Sequence, residues 1–230
     1  MKGSLICFYS IIVLAGILSV LTSCHQDTPR LVKIDEISIE RNFDEMYKGY
    51  FENDTLNCLI HFNIKEKKLY LKSIHDLHNE MTISLDHALT NIDSKGLFTL
   101  NVFIQTPDSV FLSYDESIFL INRKGSIVNS WNLNEYQTFA ENNLSLSFVT
   151  PVTFLNGKLN LALTAKLKVD NPATSKHYFS EINPVAVLDI VNDSFYILPI
   201  PFPKVYQTGS NYMDFVPHFI NFQNKLMVSF

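Results

Sequence analysis

Cysteine, glycine and tryptophan are scarce in this sequence: three, seven and one among 230 residues. So few glycines exclude a collagen-like chain or a glycine-rich linker protein. Phosphate-cradling glycine loops are missing, and so are Cys-x-x-Cys pairs. No Gly-x-Ser-x-Gly elbow offers an activated serine. Positive charge is also in deficit, with 18 Lys and Arg against 23 Asp and Glu, a formal charge of −5. That balance argues against broad electrostatic capture of nucleic acid, and no nucleic-acid partner is expected. Long amphipathic helices are not evident either. What remains is a chain that is 47% apolar and only 18% charged. Such a chain buries a sizeable core and is not disordered. Its length suits one large domain or two small ones.

The first residues carry an address. Lys2 precedes an apolar run from Leu5 to Leu21, broken by Ser10 and Ser19, and then come Leu21-Thr22-Ser23-Cys24 and polar His25-Gln26-Asp27. This resembles a bacterial secretory signal, and more narrowly a lipoprotein signal peptide with its lipobox. The resemblance implies cleavage after residue 23 and a diacylglycerol thioether on Cys24, since only a thiol makes that bond. An uncleaved membrane anchor is the alternative. Seventeen residues at about 1.5 Å each give roughly 25 Å, short of a ~30 Å hydrocarbon core, and no basic cluster follows. An ordinary cleaved signal is the third reading. The expected organisation is a signal over 1–23, a polar tether over 24–32 and a globular domain over 33–230. Two or more acyl chains hold a protein firmly on a membrane. The protein is therefore expected on the bacterial cell envelope, lipid-anchored, at the outer membrane.

The expected mature chain has 207 residues; it loses one lysine and no acid, so its formal charge is −6. Cys7 leaves with the signal and Cys24 is acylated, which leaves Cys58 without an intramolecular disulfide partner. Flanked by Leu59 and Ile60, Cys58 reads as a buried, inert thiol.

Beyond residue 56 the apolar period is two. Short strands are predicted around Lys67–Leu71, Thr99–Gln105, Val110–Ser113, Ser117–Asn122 and Ile127–Leu133. Trp131 reads as a core anchor. Asn122-Arg123-Lys124-Gly125 and Asn156-Gly157 read as hairpin loops that need positive φ at glycine. Asn192-Asp193-Ser194 joins a third pair of strands. Pro217–Phe222 and Lys225–Phe230 form a fourth. Arg41–Tyr47 reads as a short helical turn, and Asp76–Leu89 suits a helix or a strand equally. Hairpin strands beginning at Lys68, Ser109, Lys158, Ser194 and Lys225 are spaced by 41, 49, 36 and 31 residues. A four-stranded propeller blade takes about 40 to 50. The fold class is thus all-β and β-propeller-like, with a β-sandwich as the alternative.

Constellations that could carry chemistry are few. His75 and His78, with His87 nearby, would share a face only on a helix, and no glutamate base stands between them. Asn91–Gly96 resembles a calcium loop, but Lys95 and Val102 occupy positions that need oxygen ligands, so a turn at Gly96 is expected. Asp115-Glu116 reads as a solvated turn. Pro199, Pro201 and Pro203 mark an edge or a long connection. Phe202, Tyr206 and Tyr212 beside them are the candidate binding rim. No catalytic residue, metal ligand or cofactor-binding residue is assigned.

The overall pattern resembles the Bacteroides-type lipoprotein family of domain of unknown function 4221, related to six-bladed β-propellers. The likeness rests on Leu21–Cys24, on Pro107–Leu112 followed by Ile118–Gly125, on Tyr196–Tyr206, and on Asn224–Phe230. It implies an exported, lipid-anchored propeller with no assigned reaction. At about 40 to 50 residues per blade, 207 residues make four or five blades, and the last segment ends in mid-strand. The chain therefore reads as an incomplete propeller. The expected function is a non-catalytic binding or scaffold module for an envelope protein, a peptide or a glycan. An envelope hydrolase or lyase on the same scaffold, or a truncated non-functional copy, are the alternatives. Metabolic labelling with a fatty-acid probe tests the address. The wild type should be labelled and Cys24→Ala should not, and equal labelling of both would exclude Cys24 as the acceptor.

Overall fold

The computed structural model describes residues 44–53, 55–75, 77–90, 92, 94–147, 149–166, 179–180, 182–204, 217–222 and 225–229. Tight turns between period-two runs give meander sheets. The first contains β1 (Glu45–Glu52), β2 (Asn57–Asn63), β3 (Lys68–Ser73) and β4 (Asn79–Ser84), each antiparallel to the next. A short helix, α1 (Ser94–Thr99), leads to the second. This holds β5 (Asn101–Thr106), β6 (Ser109–Tyr114), β7 (Ser117–Ile121) and β8 (Ile127–Asn132) in the same order. After a 3₁₀ turn, Leu133–Glu135, come α2 (Gln137–Glu141) and β9 (Leu144–Leu146). The third sheet holds β10 (Thr153–Leu155), β11 (Lys158–Ala165), β12 (Val185–Asp189) and β13 (Ser194–Ile197), with β9 also paired to β11. A hairpin of β14 (His218–Phe222) and β15 (Lys225–Ser229) follows. The fold is all-β and propeller-like: consecutive strands fill one sheet before the chain moves to the next. No helix among the described residues is long and apolar enough to cross a membrane.

Side-chain alternation stacks the sheets. On β3, Leu69, Leu71 and Ser73 are buried while Lys68, Tyr70 and Lys72 are not. Four successive residues of β6, Val110–Ser113, are buried, so both faces of the second sheet are covered at this strand. Val110 and Leu112 join a core with Ile60, Phe62, Leu69 and Leu71 of the first sheet. Phe111 joins the opposite core with Leu159, Leu161, Ala186 and Leu188 of the third. Trp131 belongs to that second core. Cys58 is fully buried and unpaired, and burial raises its pKa above the usual thiol value.

Several sequence expectations need correction. Residues 45–47 begin β1 rather than completing a helical turn; residues 41–43 lie outside the described set. The segment after Leu77 takes the strand option, as β4, because Ile83 packs into the first core. Gly96 sits inside α1 and not in a turn. A Cβ there would lie 2.6 Å from the Tyr114 ring, so glycine serves close packing. The repeat was also read across unlike strands. Lys68 starts a third strand and Ser194 a fourth, whereas Asn57, Ser109, Lys158 and Lys225 start the second strands of their sheets. A strand and its turn are local features, but a strand's rank within a sheet is not. The short spacing of 36 thus runs from the second to the fourth strand of one sheet.

The Asn156-Gly157 turn has φ of +51° and +76°, as a type I′ hairpin requires. Gly125 is constrained twice. Its φ is +78°, and a Cβ would stand 1.7 Å from the Ser84 carbonyl oxygen at the end of β4. The Asn122 side chain fixes this loop by accepting from the Lys124 and Ser126 amides at 2.9 and 3.1 Å. The outer loop of the second sheet thereby abuts the first. Gly125→Ala should cost at least about 2 kcal/mol, because strain and overlap add. Urea unfolding measures it, and a loss below about 0.5 kcal/mol would show that the two sheets separate here at little cost.

Lys48 on β1 donates to the Phe98 carbonyl at 3.3 Å, with its ammonium 6.0 Å from the Phe62 ring centroid. Burial pulls its pKa from the ordinary 10.5 down to about 8. The folded state then releases this proton before the unfolded chain does. Stability from this group is present above pH 10.5 and lost as pH falls through about 8. The Cys58 thiol acts oppositely: its raised pKa confers stability at low pH that is lost as pH rises through the folded value. In a Cys58→Ala background, stability should therefore climb from pH 8 towards 10. Adding Lys48→Met should flatten that climb; an unchanged slope would exclude Lys48 as its source.

Candidate functional site

The first strand of a meander pairs on one side only, so its other edge is left facing outward from the sheet. β1 runs beside β5, and β10 beside β14. The C-terminal ends of β1, β5 and β10 converge on one cavity of about 550 Å³. Each supplies three consecutive residues: Tyr50-Phe51-Glu52, Phe103-Ile104-Gln105 and Phe154-Leu155-Asn156.

Local backbone features set these side chains. The β5–β6 register shifts between Ile104 and Thr106, so Gln105 stands in a bulge and is exposed. Bulges commonly re-aim a side chain in this way. Asn156 occupies the left-handed corner of the hairpin turn. Glu52 ends β1 opposite Asn57. The Tyr50 hydroxyl donates to Asn57 Oδ1, and Glu52 Oε2 lies 3.2 Å from it. Burial and the adjacent Glu52 charge hold the Tyr50 pKa above the usual phenol value. Phe154 stacks on Phe111 with centroids 5.7 Å apart and planes at 18°, and Phe103 lies 6.4 Å from Phe111. An aromatic row thus runs from the second sheet into the third at the side of the cavity.

Further back, the inner edge of the third sheet is broken. β9 pairs with Leu163–Ala165 and β10 with Lys158–Asn160, along one edge of β11. Between them Ser147 still donates its amide to the Ala162 carbonyl at 2.9 Å. Asn101 of β5 reaches this connection, its amide donating to the Ser147 and Thr150 carbonyls at 3.1 and 3.4 Å. A smaller cavity of about 270 Å³ lies there, lined by residues that include Ser113, Ser145, Ser147, Thr164, Asn101 and Asp115.

The residues singled out in the sequence lie elsewhere. Phe202 is 1% exposed and meets Phe179 edge-on at 5.1 Å. Its ring is therefore core packing rather than part of an exposed rim. Tyr206, Tyr212 and Cys24 lie outside the described residues. His75 and His87 are exposed, and His78 Nε2 is 3.0 Å from Glu80. Of the acidic pair, Asp115 is an exposed left-handed turn residue, but Glu116 is not a solvated cap. It holds the Lys166 ammonium at 2.6 Å and accepts from Ser145 Oγ at 3.3 Å, which ties the second sheet to the third.

The lining residues of the large cavity were missed because each is ordinary alone. Their signal is positional: an aromatic, an apolar and a polar residue recur just before the first hairpin of three successive sheets.

Neither a protein-family model nor a curated protein matches the chain. A solved structure similar to it is a member of the domain of unknown function 4221 family from Bacteroides vulgatus, the family that the sequence resembles. Identity is 16% and the TM-score 0.49, over 67% of this chain. The match spans 42% of the length of that protein.

Proposed function

We propose that the protein is a lipid-anchored binding module of the bacterial cell envelope. It holds an envelope protein, peptide or glycan at the mouth formed by β1, β5 and β10. The observation that carries this reading is the convergence of three sheets on one cavity of about 550 Å³. Ligand sites combine apolar and aromatic walls with a few placed polar groups. Tyr50, Phe103 and Phe154 supply the first, and Glu52, Gln105 and Asn156 the second. Glu52 is the one carboxylate among the described residues of this lining, whereas hydrolysis of a glycosidic bond calls on two facing carboxylates. The described lining therefore favours binding over glycosidic cleavage. The lipobox-like Leu21–Cys24 supplies the anchor, and the short polar stretch after it keeps the domain close to the outer membrane.

Site-specific photocrosslinking in cells tests the mouth. Benzoylphenylalanine in place of Tyr50 should yield a discrete adduct. The same group in place of Val128, exposed on the outer strand β8, should not. Phe154→Ala should diminish the Tyr50 adduct. Adducts from position 128 alone, or an adduct at 50 indifferent to Phe154→Ala, would move the site away from the mouth.

A further inference from the structure

We infer that the mouth between β1, β5 and β10 takes an organic cation, a protonated amine or a guanidinium. The inference rests on the mouth being the binding site. Its described lining contains four aromatic residues, Tyr50, Phe51, Phe103 and Phe154, one carboxylate, Glu52, and two amides, Gln105 and Asn156. No lysine, arginine or histidine is among the described lining residues. Aromatic faces carry negative quadrupole charge and attract ammonium and guanidinium groups, most strongly where water is partly excluded. Tyr50 has a single hydroxyl proton, which can serve Asn57 or Glu52 but not both. The Glu52 carboxylate therefore keeps acceptor capacity for an incoming donor. The amide oxygens of Gln105 and Asn156 add neutral acceptors at the rim. An anion in the same place would meet Glu52 without a compensating cation, at the cost of desolvation and repulsion. The formal charge of −5 for the whole chain acts in the same direction, drawing cations towards the protein. A volume near 550 Å³ admits an amine with its alkyl stem, so the aliphatic part packs against the rings while the charge reaches Glu52.

Two sources carry this chemistry, a Lys or Arg side chain of a peptide and a free polyamine. Titration calorimetry on the full-length protein in detergent separates them. The probes are a short Ala-Lys peptide, its Ala-Gln counterpart and spermidine. Saturable binding of the lysine peptide, with the glutamine peptide at least about tenfold weaker, is expected. Glu52→Gln should weaken the lysine peptide or spermidine by a similar factor, and added salt should weaken it further. Gln105→Lys, which places a cation at the rim, should abolish binding while leaving the circular dichroism spectrum unchanged. Preference for the peptide over spermidine assigns a peptide source, and the reverse a free amine. Equal affinity for the two peptides, or indifference to Glu52→Gln, overturns the cation assignment. If that binding is still lost in Phe154→Ala, the mouth remains the site and only its ligand class changes. Absence of binding by all three probes also overturns the cation assignment, with the Tyr50 crosslink deciding the mouth separately.

Discussion

Burial of both faces of β6, in the second sheet, is the constraint on which the rest depends. Along β6, Val110 and Leu112 point into one core and Phe111 into the other. A one-residue slip would exchange these sets and present each core with the wrong side chains. The register of β6 therefore fixes the registers of β5 and β7 on either side of it. Through them it fixes where Phe103, Ile104 and Gln105 reach the cavity. Contacts at the margins support this stack: Gly125 packed close to the Ser84 carbonyl, Asn101 donating to the Ser147 and Thr150 carbonyls, and Glu116 with Lys166.

Much of this fold was legible from local chemistry. Asn156-Gly157 and Asn122–Gly125 announced their hairpins because positive φ is demanding and few residues meet it. Trp131 and Cys58 announced their burial through the apolar alternation around them. Rank within a sheet was not legible, so β3 and β13 were compared with second strands. Helix α1 was hidden by Gly96, whose role depends on the Tyr114 ring arriving from β6. The strand β1 was hidden because its charged Glu45 and Lys48 break the apolar alternation.

The site was less legible than the fold for the same reason. A proline-punctuated aromatic stretch attracts attention, yet Phe202 is spent on packing against Phe179. Phe103 and Phe154 lie in strands that read as unremarkable core sequence, and Tyr50 lies in the strand that the sequence hid. They line one cavity only because three first strands come together, and no local pattern encodes that meeting. Glu116 was likewise misread, since a carboxylate on a tight turn is solvated unless a neighbouring sheet brings it a cation.

The meander topology also bears on how the chain reaches this state. Strands that pair within a sheet are nearly all separated by tight turns, and short loops close at small entropic cost. The exception is the connection from Ala165 to Val185, which must close before β11 and β12 can pair. Two to three doublings of loop length over its neighbours cost about 1 to 2 kcal/mol, at roughly 0.6 kcal/mol each. Docking of β12 is accordingly the slow event in the third sheet. Until it happens Leu159, Leu161 and Leu163 lie on a strand paired along one edge only, the species most exposed to intermolecular strand pairing. The first two sheets, closed by turns alone, have no such interval. A chain synthesised amino terminus first would thus present a finished platform, with its second core half built, to the one segment that folds late.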